Sequence, residues 1–281
     1  MSEICASCID FDINKIVKSN PSMHPKWLSE KNYVKEFIEK TTVFTNKYPS
    51  KYNIKMKINV GKLHAGKKIL YWGAKEKTNQ LTVNDAKTAY GTFSNSGIVT
   101  IDKNGFCLLK LVCPQIYKTV AKNKTTPQSY YRHLHFVISD KLKTNWNPQI
   151  YTKLVICKFD LKSSMKMLQS GNFVFINALP SQYYGKDHIP NSYNLTSQET
   201  KQMTPVELNN WMKDIIKLHY PKIDKAVKDK KLAINEIPIV AYCAHNKCNA
   251  SEMLIEELMK KGMVNINEFS GGMKEYRKYY L

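Results

Sequence analysis

The last part of the chain, from about Ser163 to Leu281, alternates short apolar segments with longer amphipathic ones. NFVFIN (172–177) is a short apolar segment, and IPIVAYC (237–243) is apolar throughout, as expected of a central parallel strand that is buried on both faces. The amphipathic segments between and after them have the spacing of helices. Because strands that alternate with helices build parallel sheets, this part of the chain predicts an α/β fold.

Capping signals predict where the helices begin. Thr204 is the expected N-cap of one helix, with Pro205 at the first helical position and Glu207 at the capping-box position. Ser163 or Ser164 is the expected N-cap of a shorter helix that contains MKMLQ. In the helix that follows IPIVAYC, the residues predicted to face the sheet are Met253, Leu254, Leu258 and Met259.

Cys243 stands where the buried strand IPIVAYC ends, and a helix is predicted to begin within about seven residues. In open α/β sheets, ligands bind at the carboxyl ends of the strands. A loop that leads into a helix N-terminus directs backbone N–H groups inward, which favours an anion or a thiolate. Such a setting favours the thiolate form of Cys243, so we expect a lowered pKa, and the ordinary value of about 8.5 can fall there by more than a unit. The alternative is an inert cysteine that ends a buried strand.

Four segments, in this order, resemble the rhodanese superfamily. They are the strand NFVFIN, the turn Asp187-His188-Ile189-Pro190-Asn191-Ser192 in place of the usual G-H-I-P-G-A, the loop that begins at Cys243, and EFSGG with Gly271-Gly272. The resemblance implies a rhodanese-type domain over 163–281, in which Cys243 is the sulfur-carrying nucleophile and forms a persulfide.

The same resemblance implies roles for the rest of the loop. Cys248 is a second candidate catalytic residue, either a resolving thiol that relays sulfur or a small residue packed under the loop. A small sulfur donor such as thiosulfate or a persulfide is the expected partner, and no cofactor is required. The residues implied in binding that donor are Ala244, His245, Asn246, Lys247 and Asn249.

Departures from the family pattern also carry information. Asn177 stands where the family often has Asp, and Leu179 where it often has Arg. The loop 243–248 has six residues, which is similar to the sulfurtransferase class, and it contains no Arg. The related cell-cycle phosphatases use a terminal Arg to clamp phosphate, so phosphatase chemistry is not expected.

The stretch 54–160 has a different pattern, in which short β-rich runs are separated by Gly, Asn, Asp and Pro, and it predicts a β-sandwich. Within it, His133 and His135 share one face of a strand because side chains alternate with period two. Two imidazoles on one face are suited to hold a metal ion, and a phenolate oxygen favours ferric iron.

This stretch resembles the β-sandwich of intradiol ring-cleaving dioxygenases. The resemblance rests on the turn 102–105, the Pro114 to Tyr117 segment and the histidine pair, which Arg132 directly precedes in a departure from the family spacing. It implies Tyr117, His133 and His135 as metal ligands, with iron as the candidate cofactor. The family's second tyrosine ligand has no clear match, and Tyr90 is the nearest candidate. The alternative is a retained scaffold that serves packing or partner binding.

Composition sets the remaining limits. The formal net charge is +20, but all of the 43 basic residues except Arg132 and Arg277 are lysine, and the lysines are scattered. Arginine is the residue favoured for base and phosphate recognition, so this surface argues against dedicated nucleic-acid binding. No apolar run spans a membrane and no secretory signal is evident. We therefore expect an intracellular, cytoplasmic protein with mostly reduced cysteines.

The N-terminal segment 1–53 is predicted to be partly helical, with an amphipathic helix over 26–40 that Ser29 caps. Cys5 and Cys8 form a lone C-x-x-C, and no second pair lies at zinc-finger spacing, so we interpret them as incidental. The leading hypothesis is transfer of sulfane sulfur by the C-terminal domain. The rival hypothesis is a non-catalytic binding or structural protein with two degenerate domains, packaged in the particle of a large DNA virus.

Overall fold

The computed structural model describes residues 13, 15–19, 25, 27, 33–75, 83, 85–120 and 125–280. The chain divides into two compact units, Met1–Val155 and Ile156–Leu281. The Cys5 and Cys8 pair, the Ser29 cap and most of the first half of the helix predicted over 26–40 lie outside the described residues. The described part of that helix is α1 (Tyr33–Lys40).

The first unit contains a five-stranded antiparallel sheet, whose strands are β1 (Ile16–Lys18), β3 (Lys68–Gly73), β4 (Ser96–Thr100), β8 (His133–Ile138) and β9 (Tyr151–Leu154). Their order in the sheet is β1-β9-β8-β3-β4. Because β1 pairs with β9, the segment 1–53 contributes an edge strand to this sheet.

Two smaller antiparallel ladders complete the described strands of this unit. One pairs β2 (Ile54–Asn59) with β5 (Phe106–Leu111), and the other pairs β6 (Tyr117–Thr119) with β7 (Gln128–Tyr130). A short helix, α2 (Ala86–Tyr90), begins at Asp85, whose side chain accepts a hydrogen bond from the Thr88 amide. The antiparallel character agrees with the sequence, and the β-sandwich arrangement stays a prediction.

The boundary between the units falls inside the β-rich run YTKLVICKF (151–159). Its first part is β9, which is antiparallel to β8, whereas β10 (Cys157–Phe159) is parallel to β14 (Ile266–Phe269). The run therefore supplies one strand to each unit, and the second unit begins at Ile156.

The second unit is built on a five-stranded parallel sheet, which confirms the predicted parallel sheet. Besides β10 and β14, its strands are β11 (Val174–Asn177), β12 (Ser192–Asn194) and β13 (Ile239–Tyr242), and the order is β10-β14-β13-β11-β12. All residues of β11, β13 and β14 are buried, as the continuous apolar runs predicted.

The helices of this unit connect the strands. They are α3 (Leu161–Ser170), α4 (Ser181–Tyr184), α5 (Ser197–Gln202), α6 (Pro205–His219), α7 (Pro221–Lys228), α8 (Ala250–Lys260) and α9 (Gly272–Tyr280), with a short 3₁₀ turn at Ile234–Glu236. Thr204 and Glu207 form the predicted capping box of α6. The cap predicted at Ser163 or Ser164 is wrong, because α3 begins earlier. Its N-cap is Asp160, whose carboxylate accepts the Ser163 amide at 2.8 Å.

The two faces of the parallel sheet pack against different helices. Phe175, Tyr242 and Phe269 form one apolar cluster with residues of α3 and α9. On α8, Leu254, Leu258 and Met259 are buried as predicted, but Met253 is 51% exposed. The prediction for Met253 is wrong because it lies outside the apolar stripe of α8.

The cysteines of the described part differ in state. Cys107, Cys243 and Cys248 are free thiols, whereas Cys113 and Cys157 are disulfide-bonded. The expectation of reduced cysteines thus holds for the first three and is wrong for the last two. No helix among the described residues has the length and apolarity of a membrane span.

Candidate active site

Cys243 directly follows the central strand β13, at the carboxyl end of the parallel sheet. Its side chain is 2% exposed. The loop 244–249 leads from it to the N-terminus of α8 at Ala250, so the cysteine lies at the strand end and helix start that the sequence predicted. This is the position where α/β sheets bind ligands.

The groups nearest to the Cys243 sulfur are not the expected ring of backbone amides. Sγ lies 3.3 Å from the carbonyl oxygen of Cys248, 3.7 Å from that of His245, and 3.4 Å from the Ser251 hydroxyl. Carbonyl oxygens accept the S–H proton and so stabilise the neutral thiol.

The pKa of Cys243 follows from this environment. Burial raises it above the ordinary value, and a hydrogen bond with Cys248 raises it further. The hydroxyl and amide of Ser251 act in the opposite direction without cancelling the effect of burial. The predicted fall of the Cys243 pKa is therefore wrong for the thiol in this structure, because desolvation outweighs the helix terminus.

The loop residues lie at the surface around this thiol. Cys248 is half-buried, and its amide donates to the His245 carbonyl at 2.9 Å. The Lys247 amide donates to His245 Nδ1 at 3.2 Å, so the imidazole helps to fix the turn. Ala244 is half-buried, whereas His245, Asn246, Lys247 and Asn249 are exposed.

The glycine pair of EFSGG holds the start of α9 against the cysteine loop. The Met273 amide donates to the Cys243 carbonyl at 3.0 Å, and the Lys274 amide donates to the Ala244 carbonyl at 2.8 Å. Gly272 has φ +56°, and a Cβ atom built on it would lie 2.2 Å from the Cys243 carbonyl oxygen. Glycine is required there because a side chain would push the two segments apart.

The turn at 187–192 is anchored to the strand that precedes Cys243. The Tyr242 hydroxyl accepts the Ile189 amide at 3.0 Å and lies 2.6 Å from the Ser192 hydroxyl. Asn191 has φ +62°, a conformation that asparagine tolerates, at the position of the family's glycine. Burial raises the pKa of Tyr242 to about 12, so this hydroxyl is neutral near neutral pH.

Asn177, the first departure from the family pattern, supports the loop after β11. It is fully buried, and its Oδ1 accepts the Leu179 amide at 2.8 Å. The Asn194 side chain donates to the carbonyls of Asn177 and Leu179 at 3.0 and 2.6 Å. Both departures therefore belong to one hydrogen-bonded loop.

Two buried polar residues near Cys243 were not predicted from the sequence. Ser251, in the first turn of α8, is fully buried, and its hydroxyl donates to Glu268 Oε1 at 2.7 Å. Glu268, on β14, is 3% exposed, and its Oε2 lies 3.0 Å from Lys158 Nζ. The signal that could have found this pair is the single acidic residue in the strand VNINEF.

In the first unit, the three predicted metal ligands lie together. Tyr117 Oη is 3.3 Å from His133 Nε2, and the ring centroids of His133 and His135 are 4.8 Å apart. His133 Nδ1 donates to the Tyr131 carbonyl at 2.7 Å, and His135 Nδ1 lies 2.9 Å from the Thr152 hydroxyl. Nε2 is thus the nitrogen that each imidazole could offer to a metal.

Tyr90 is a further buried group of this cluster. The Tyr90 ring centroid lies 6.2 Å from that of His135; burial raises the pKa of Tyr90, and a hydrogen bond with Tyr117 opposes the rise. Burial also lowers the pKa of His133, which keeps its imidazole neutral. Among the described residues, no group of three His, Cys, Asp or Glu is placed to hold a metal ion, so a site here needs the tyrosines.

The second unit is similar to known proteins. Residues 160–279 match the family model of the rhodanese-like domain. The human single-domain sulfurtransferase TSTD1 is 15% identical over 45% of this chain and 100% of its own, with a TM-score of 0.32. The single-domain sulfurtransferase RDL2 of Saccharomyces cerevisiae is 10% identical over 45% of this chain and 92% of its own, with a TM-score of 0.32. The BH2092 protein of Bacillus halodurans is 16% identical over 44% of this chain and 72% of its own, with a TM-score of 0.31.

No curated protein matches the chain. The match to the family model begins directly after β10 and covers α3 to α9 except for the last residue of α9, and it includes the Cys243 loop and the Gly271-Gly272 pair. Residues 160–279 therefore form a rhodanese-like domain.

Proposed function

We propose that the second unit is a sulfurtransferase that carries sulfane sulfur as a persulfide on Cys243. The main support for this proposal is the position of the Cys243 thiol, at the carboxyl end of the central parallel strand in a rhodanese-like domain. The sulfur lies under a loop whose residues His245, Asn246 and Lys247 are exposed, so the residues suited to meet a donor lie at the surface.

The chemistry requires a thiolate that attacks the outer sulfur of the donor. With thiosulfate, a bond forms between Cys243 Sγ and that sulfur, the S–S bond of the donor breaks, and sulfite leaves with its electron pair. The exposed Lys247 is the loop cation suited to attract the anion, and exposed His245, Asn246 and Asn249 offer further polar contacts. No cofactor takes part.

The test is the intact mass of the full chain after treatment with thiosulfate. We expect a gain of one sulfur atom in the wild type and none in Cys243→Ser. Cys107→Ser is the matched control, because Cys107 is also a buried free thiol, whose pKa burial raises to about 12. Equal labelling of the wild type and Cys243→Ser would exclude the proposal, and it would favour the rival view of a non-catalytic binding or structural protein.

Cys248 is proposed as a second reactive thiol. Its carbonyl oxygen lies 3.3 Å from Cys243 Sγ and its thiol is free, five positions along the same loop. A disulfide between the two cysteines would protect Cys243 from further oxidation, and a persulfide could pass from one thiol to the other.

A second candidate function concerns the first unit. We propose a metal site formed by Tyr117, His133 and His135, with iron as the ion. The contact of 3.3 Å between Tyr117 Oη and His133 Nε2 favours it, because the phenol of the buried Tyr117 and the neutral imidazole of the half-buried His133 converge. Tyr90, which neighbours Tyr117, is the candidate fourth ligand. A bound ferric ion would act there as a Lewis acid.

This site is tested by metal analysis and visible absorption of the protein after addition of iron. We expect a broad absorption band from iron–phenolate bonding that Tyr117→Phe weakens or removes. Tyr151→Phe is the control, because the Tyr151 ring stacks on Phe136 and not on either histidine of the pair. A colourless protein whose thermal stability does not respond to iron would exclude the metal site and leave the first unit as a scaffold.

A further inference from the structure

A serine and a glutamate connect the Cys243 thiol to a surface lysine. Ser251 Oγ lies 3.4 Å from Cys243 Sγ and 2.7 Å from Glu268 Oε1. Glu268 Oε2 lies 3.0 Å from Lys158 Nζ, which also contacts Glu252 Oε1 at 2.5 Å. The residues come from three elements of the second unit: the start of α8, β14 and β10.

The direction of the hydrogen bonds follows from the single hydrogen of the hydroxyl. The Ser251 O–H donates to the Glu268 carboxylate, because that contact is short and charge-assisted. A lone pair of Ser251 Oγ is then left to face Cys243 Sγ at 3.4 Å, and the thiol donates to it when its S–H turns away from the Cys248 carbonyl oxygen, which lies 3.3 Å from the sulfur. In that orientation, hydrogen bonds connect the reactive sulfur through the serine hydroxyl to the buried carboxylate.

Glu268 is a costly residue for the middle of a parallel sheet. A carboxylate that is 3% exposed loses most of its hydration, and only a nearby cation and hydrogen bonds offset that loss. Lys158 supplies the cation: burial alone would lower the pKa of Lys158, but its contacts with Glu252 and Glu268 raise it. Ser251 supplies the hydrogen bond, so the carboxylate is held as a proton acceptor.

We propose that Ser251 and Glu268 form a proton relay that deprotonates Cys243 as it attacks the sulfur donor, an inference that rests on the proposed sulfur transfer. Ser251 is the catalytic residue of the relay because it touches the reacting sulfur. Glu268 acts through Ser251 and is a positioning residue and the final proton acceptor.

The step balances in atoms and charge. The S–H bond of Cys243 breaks and its proton moves to Ser251 Oγ, while the Ser251 hydroxyl proton moves to Glu268 Oε1. The sulfur lone pair forms the new S–S bond, and sulfite leaves thiosulfate with the electron pair of the old one. The products are the Cys243 persulfide anion, sulfite and a protonated Glu268, which later returns its proton to solvent.

The relay avoids the free-energy cost of forming an additional buried charge at Cys243. Burial disfavours a thiolate at Cys243 when it forms alone, because a new charge appears in a medium of low dielectric constant. When the proton passes to Glu268, the carboxylate loses the charge that the sulfur gains, so the number of buried charges is unchanged. The proton that Ser251 has received lies between its Oγ and the sulfur, so the serine hydroxyl donates to the thiolate.

Other titratable residues near Cys243 belong to the cysteine loop and to α9. In the loop, Cys248 contacts Cys243, and its hydrogen bond raises the pKa of Cys243. His245 approaches the sulfur through its carbonyl oxygen only, because its Nδ1 accepts the Lys247 amide. On α9, Lys274 contacts the loop through its backbone amide. His245 and Lys274 thus offer no side-chain base to the sulfur, and Cys248 is the loop residue whose side chain contacts it.

The test follows the rate of Cys243 alkylation by iodoacetamide against pH in the full chain, read on the tryptic peptide 232–247. We expect the wild-type rate to vary less than about threefold between pH 6 and 8. In Ser251→Ala and Glu268→Gln the rate should fall about tenfold for each pH unit below the thiol pKa, because only free thiolate then reacts. Glu252→Gln and Ser164→Ala are matched controls, the first for the other carboxylate on Lys158 and the second for a buried serine.

Each outcome decides the question. A shared pH profile for the wild type, Ser251→Ala and Glu268→Gln would overturn the relay. Ser251→Ala alone decides it if circular dichroism shows that Glu268→Gln does not fold. Thiosulfate loading at pH 10, where hydroxide deprotonates more of the thiol than at pH 6 to 8, is measured in parallel. Failure to load at any pH with the alkylation profiles as expected would contradict sulfur transfer and leave the relay supported.

Discussion

Gly272→Ala is expected to lower the free energy of unfolding of the second unit by about 3 kcal/mol. A residue with a side chain at φ +56° is strained by the left-handed backbone, whereas alanine also makes the unfolded chain less flexible, which stabilises the fold. The net loss of stability from these two effects is about 1 kcal/mol. The new Cβ would also lie 2.2 Å from the Cys243 carbonyl oxygen, whereas ordinary contacts are 3.4–4 Å. The start of α9 must then move by about an ångström, which breaks the hydrogen bonds at Met273 and Lys274, worth about 1 kcal/mol each.

Gly171→Ala isolates the backbone part of this penalty. Gly171 ends α3 with φ +67°, and a Cβ atom there would meet nothing within 4 Å. We therefore expect it to cost about 1 kcal/mol, some 2 kcal/mol less than Gly272→Ala. The assay is urea unfolding followed by far-UV circular dichroism. Equal stabilities of the two variants would refute the steric reasoning, and with it the assignment of Gly272 as the residue that fixes the cysteine loop.

The remaining predictions concern oxidation, alkaline pH and the first unit. Mild peroxide should give a disulfide between Cys243 and Cys248, and peptide mapping that finds Cys243 overoxidised beside an unmodified Cys248 would make Cys248 a packing residue. Burial raises the pKa values of Tyr220 and Tyr242 from 10 to about 12, so these groups stabilise the fold fully below pH 10. The free energy of unfolding should fall as pH rises from 10 to 12, and a flat profile in urea titrations would contradict this. Tyr117→Phe should remove iron-dependent colour and leave the fold of the second unit, read by circular dichroism, unchanged.

The sequence predicted those features of the second unit that depend on neighbours along the chain. Thr204 and Glu207 cap a helix because both partners lie within one turn. IPIVAYC was predictable as a central strand because its residues are apolar throughout, and the strand is buried. Where two local solutions competed, the prediction failed: Asp160 and Ser163 are both capping residues, and the structure uses Asp160.

Features that depend on distant residues were not predictable in the same way. Ser251 and Glu268 are 17 positions apart and meet only because α8 packs on β14. The pKa of Cys243 was predicted to fall, since the sequence indicates a helix terminus but not the depth of the thiol or the carbonyl oxygens around it. In the first unit, the pairing of β6 with β7 brings Tyr117 towards the histidines, and that register has no signature in the motif itself.

The location of transferred sulfur tests the central claim most directly. Trypsin separates the two loop cysteines, because cleavage after Lys247 leaves Cys243 alone in peptide 232–247 and Cys248 in peptide 248–260. After thiosulfate treatment and non-reducing digestion of the full chain, we predict one additional sulfur atom on peptide 232–247. Sulfur found only on peptides that contain other cysteines, or on none, would contradict a persulfide at Cys243.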